Sequence, residues 1–75
     1  MATQEFKLTK IYQGYPSKNK VLMVGTEEEC IAELQSWLSV SRRNGADIVS
    51  EEAYEYTCDN YDSNWASVTF KVEEN

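Results

Sequence analysis

Seventy-five residues, 41% hydrophobic and 27% charged, are enough for one small domain; a chain this short buries only about 60% of its unfolded surface, so its core is modest. A net charge of −6 argues against binding to phosphate backbones. The absence of histidine removes the commonest general base and the commonest metal ligand at neutral pH.

Residues 5–13 alternate as a strand does: Phe6, Leu8 and Tyr12 share one face with Lys10 between them, and Glu5, Lys7 and Thr9 share the other with Ile11. Gly14, Pro16 and Asn19 then mark a turn. Residues 20–24, "KVLMV", predict a second strand; because it is apolar on both faces, it should be central or covered twice. Val21 to Val24 is also the longest apolar run, too short for a signal peptide or a membrane span. A cytoplasmic chain is therefore expected, with Cys30 and Cys58 as reduced thiols.

A helix should begin at Thr26, whose side chain and that of Glu29 form a capping box. Glu27, Glu28 and Glu29 suit the positive end of its dipole, and Arg42 and Arg43 the negative end. Gly45, with Asn44 beside it, can cap the C-terminus. Cys30, Ile31, Leu34, Trp37 and Leu38 form one apolar stripe, with Glu28, Gln35, Ser39 and Arg43 opposite.

A third strand is expected within residues 47–58, with Tyr54, Tyr56 and Cys58 facing the core and Glu51, Ala53, Glu55 and Thr57 facing away. "DNYDSN", residues 59–64, reads as a hairpin loop. Residues 65–72 predict a fourth strand, with Ala66, Val68, Phe70 and Val72 on one face and Trp65, Ser67, Thr69 and Lys71 on the other. The expected fold is α+β, strand-strand-helix-strand-strand, an antiparallel sheet of about four strands with one helix on one face. Four strands span nearly 20 Å, and a helix about 10 Å across covers one face of them. The other face should carry Trp65, Ile11 and one alternating pair from "VLMV".

Catalytic patterns are scarce. Two distant cysteines make no zinc motif, three scattered glycines make no phosphate loop, and nucleophile–histidine systems cannot be built. Asp59, Asn60, Asp62 and Asn64 could offer oxygen to calcium, but the loop lacks its central glycine and closing glutamate, and turn formation explains them better. Tyr12, Tyr54, Tyr56 and Phe70 could stack on bases, but their acidic neighbours argue for a core role. The reading is a non-catalytic domain with no cofactor and no metal.

Charge is uneven along the chain. Residues 1–26 hold Lys7, Lys10, Lys18 and Lys20 against Glu5, a balance of +3; residues 27–75 hold twelve acids against Arg42, Arg43 and Lys71, a balance of −9. This points to a protein partner with a basic surface, where carboxylates stand in for phosphates. The candidate contact residues are Glu51, Glu52, Glu55, Asp59, Tyr61, Asp62 and Trp65, with Glu73 and Glu74 at their margin. In size and charge the chain resembles virus-encoded inhibitors of host defence, anti-CRISPR proteins among them, and that resemblance implies blockage of a nucleic-acid-handling partner. The alternative is a small structural or regulatory subunit that forms homodimers through its uncovered sheet face.

Overall fold

The computed structural model describes the backbone of residues 4–62 and 65–75 and the side chains of residues 4–59 and 67–75. Strand β1 (Phe6–Tyr12) and strand β2 (Lys20–Gly25) flank a short 3₁₀ turn at Pro16–Lys18. Helix α1 (Glu27–Arg43) follows, then β3 (Asp47–Glu51), β4 (Glu55–Asp62) and β5 (Trp65–Glu74). Among the described residues the strands make one five-stranded sheet in the order β2-β1-β5-β4-β3, every neighbouring pair antiparallel. This is the expected α+β architecture with five strands in place of about four.

Local chemistry sets the turns and the helix ends. Gly14 takes φ +83° in the turn closed by Tyr15 N–H on Tyr12 C=O at 2.9 Å, the third position at which a type II turn demands positive φ. Both capping-box bonds form: Glu29 N–H donates to Thr26 Oγ1 at 3.1 Å, and Thr26 N–H donates to Glu29 Oε1 at 2.9 Å. At the other end Gly45 has φ +85°; its N–H reaches Arg42 C=O, and Ala46 N–H reaches Ser41 C=O. That pair of bonds is a Schellman motif.

Directly opposed residues in antiparallel strands share a face. Leu8 opposes Met23 and Val72, Tyr56 opposes Phe70, and Cys58 opposes Val68. The helix lays Cys30, Leu34 and Leu38 on that face, and together these residues form the core. Phe70 stacks between Tyr56 and Trp37, with ring centroids 4.8 Å and 5.4 Å away. Ser41 Oγ and Tyr56 OH satisfy each other at 3.1 Å inside the core. Lys10 shares this face at 7% exposure, its Nζ 5.0 Å, 5.9 Å and 5.7 Å from the ring centroids of Tyr12, Trp37 and Phe70. Its stem therefore lies buried in a position the alternation assigns to an apolar residue.

Three expectations change. Residues 47–58 are two strands, because the chain reverses between Glu51 and Glu55, where Glu52 N–H donates to Glu55 C=O at 2.8 Å. Tyr54 consequently falls in that turn at 47% exposure and is not on the core face beside Tyr56 and Cys58. Residues 59–62 continue β4, with Asp62 opposite Trp65, so the expected loop is mostly strand. Finally, β2 is an edge strand and not a central one; Val21 and Val24 stand half exposed on it. No described helix is long and apolar enough to cross a membrane.

Candidate functional site

The structure divides the expected contact residues between surfaces. Glu51 ends β3 opposite Tyr56, which turns it to the helix side, and its carboxylate forms an ion pair with the Arg42 guanidinium. Glu52 lies exposed at the start of the β3–β4 turn. Glu55 opposes Lys71 and Asp59 opposes Ser67, both on the face without the helix. There Ser67 Oγ donates to Asp59 Oδ1, and Thr57 and Thr69 share a hydroxyl bond at 2.9 Å. The side chains of Tyr61, Asp62 and Trp65 lie outside the described residues.

A second grouping of acids emerges from the topology. Pairing of Phe6 with Gly25 and with Glu74 places the start of β1, the end of β2 and the end of β5 at one end of the sheet. Helix α1 starts from that end, and the β3–β4 turn reaches it too: Val72 N–H donates to Tyr54 C=O at 2.7 Å, and Tyr54 OH donates to Glu27 Oε1 at 2.7 Å. The carboxylates of Glu5, Glu27, Glu28, Glu29, Glu52, Glu73 and Glu74 therefore gather around one end. Lys7 and Lys71, 3.9 Å and 3.8 Å from Glu73, partly offset them. An open cleft of ≈ 490 Å³ runs along this end, lined by Gln4, Phe6, Thr26, Glu27 and Glu28.

Tyr54 is the aromatic residue at this end that carries a hydroxyl, with Phe6 lining the cleft. Its hydrogen bond to Glu27, and then the charge of that carboxylate, push its phenol above the usual value. The sequence pattern hid this role: two-residue spacing linked Tyr54 to Tyr56 and Cys58, and Glu27–Glu29 were already accounted for by the helix start. The available signal was topological, since a β1–β2 hairpin followed directly by a helix must bring Glu5 and Glu27 to one end. Among the described residues no three acidic or thiol groups are arranged to hold a metal ion.

No family model matches the chain, and no curated protein or solved structure matches it either.

Proposed function

We propose that this chain is a small, non-catalytic protein-binding domain that works in the cytoplasm. In this reading its acidic end occupies the basic groove of a nucleic-acid-handling partner, as an inhibitor of the anti-CRISPR type would. One observation carries it: a half-exposed tyrosine, Tyr54, is held by hydrogen bond to Glu27 at the end of the sheet where the acidic residues of four separate segments gather. An aromatic anchor with charge around it is the usual composition of an energetically productive contact. Carboxylates spread over one end of a domain can mimic the spacing of phosphates, and they speed encounter with a basic surface.

The test is affinity capture of the partner with tagged chain, followed by binding measurements on Tyr54→Ala and on Glu52→Lys/Glu55→Lys. Both variants alter exposed or half-buried positions, so the fold should survive while binding weakens. Wild-type binding should also fall as salt rises, because complementary charges are screened. An affinity indifferent to salt and to both variants sinks the reading.

A further inference from the structure

We propose that two copies of this chain form a twofold dimer by antiparallel pairing of β2 with β2, joining their sheets into one. The proposal shares Glu27, Glu28 and Glu29 with the acidic end but not Tyr54, whose turn belongs to the opposite edge of the sheet and whose substitution tests the other reading.

Among the described residues β2 pairs with β1 alone, so its outer backbone N–H and C=O groups face outward in a row. Its side chains do not suit an outer strand. Val21 and Val24, at 49% and 47% exposure, stand on the face away from the helix, while Leu22 and Met23 pack against the core. A strand apolar on both faces is normally covered by neighbours on each side.

The strand is also complementary to itself. Centring the pair between Leu22 and Met23 sets Val21 against the partner's Val24 and Leu22 against the partner's Met23. Lys20 then meets the partner's Gly25, so the two lysines stay at opposite ends of the interface. Lys20 opposes Lys10 and so shares the helix side. On that side the carboxylate of Glu29 lies directly over Gly25: a Cβ there would sit 2.7 Å from Glu29 Oε1. Each copy thus brings a lysine to a carboxylate of the other, and Lys18 extends toward the partner's Glu27 and Glu28.

The other edge lacks this match. Self-pairing of β3 about Val49 would oppose Asp47 to the partner's Glu51, and like charges directly opposed are destabilising. Both edges carry a bulge, at Leu22 and at Val49, so charge is what separates them. Pairing β2 with the partner's β3 would also match charge, but it leaves an edge free at each end and grows without closing.

Light scattering coupled to size exclusion should show wild type passing from monomer to dimer mass through the high-micromolar range. Concentration-dependent amide shifts should concentrate on β2. Val24→Lys places a charge against the partner's Val21, in the apolar contact between the two strands, and Lys20→Glu places a carboxylate beside the partner's Glu29. Each should remain monomeric at the same concentration with an unchanged circular dichroism spectrum. Should Val24→Lys fail to fold, Lys20→Glu, at an exposed position, still decides. A wild type that stays monomeric to millimolar concentration overturns the proposal, as does growth beyond two copies, or a dimer that survives the substitutions.

Discussion

Cys30 lies on the helix stripe and Cys58 on β4, each without exposed surface, and burial pushes both thiols above their usual pKa. For Cys30 the charge of Glu29 adds to that effect and a backbone hydrogen bond with Gly25 opposes it. For Cys58 a hydrogen bond with Ser41 and the charge of Lys10 oppose it, while Asp59 adds to it. The thiolate is the reactive form, so both cysteines should react slowly with a disulfide reagent in the native protein and quickly in denaturant. Fast native labelling of both would show that the helix lifts from the sheet. The raised pKa also gives stability a pH dependence of definite sign. A group that holds its proton more tightly when folded contributes fully below its unfolded pKa, and the contribution is lost as pH climbs past it. Stability should therefore fall above about pH 9, the region where unfolded thiols ionise. Denaturant melts across the alkaline range check this, and Cys58→Ala should flatten the decline. Leu34, at 1% exposure between helix and sheet, carries the packing counterpart. Leu34→Ala should cost roughly 2–5 kcal/mol, a large share of the stability of so small a domain. A thermal melt that does not move would contradict the placement of the stripe.

At the scale of elements, helix α1 is specified by its own residues. Thr26, Glu29 and Gly45 act within a few positions of themselves, and Leu34 and Leu38 share a face for reasons of local geometry, so residues 26–45 could be interpreted without any knowledge of the sheet. Thr26→Ala should remove the capping bond to Glu29 N–H and cost about 0.5–2 kcal/mol, with Thr26→Ser close to neutral. Equal losses in urea melts of the two variants would mean that the threonine methyl, not its hydroxyl, matters. The β3–β4 reversal was hidden for the converse reason. Glu52, Ala53 and Tyr54 include none of the glycine, proline or asparagine residues that usually mark a turn, and alternation ran unbroken from Tyr54 to Cys58. The turn is closed by the pairing of β3 with β4 and tied to β5 by the Val72 N–H bond to Tyr54 C=O, and no turn-forming residue marks either. Glu51 changes side for the same cause: once the chain reverses, its position opposite Tyr56 takes it to Arg42. The central place of β5 between β1 and β4 also depends on distant pairings, so the alternation of Val68, Phe70 and Val72 showed which residues are buried but not which strands flank them.

At the scale of the whole molecule, folding re-sorts the charge. Along the chain the first 26 residues are basic and the rest acidic; in space Glu5 of the basic stretch joins Glu27, Glu73 and Glu74, while Lys18 and Lys20 lie at the far end of the β1–β2 hairpin. Carboxylates held near one another repel, and the cations among them reduce that cost. Lys71 is placed to do this, 3.8 Å from Glu73 and opposite Glu55. Lys71→Gln should lower stability by roughly 0.2–1 kcal/mol, the range of exposed ion pairs. Lys20→Gln, exposed at the other end, should change little in dilute protein. Screening length falls from about 10 Å at 0.1 M salt to about 3 Å at 1 M, so the Lys71 effect should shrink as salt rises. Wild type itself should melt at a higher temperature in salt, since repulsion at its acidic end is relieved. Paired thermal melts of the two variants at low and high salt, in protein dilute enough to be monomeric, make the comparison. Equal shifts for Lys71→Gln and Lys20→Gln at both salt levels would mean that the carboxylates exert no concentrated field at that end, and the contact surface proposed around Tyr54 would lose its electrostatic basis.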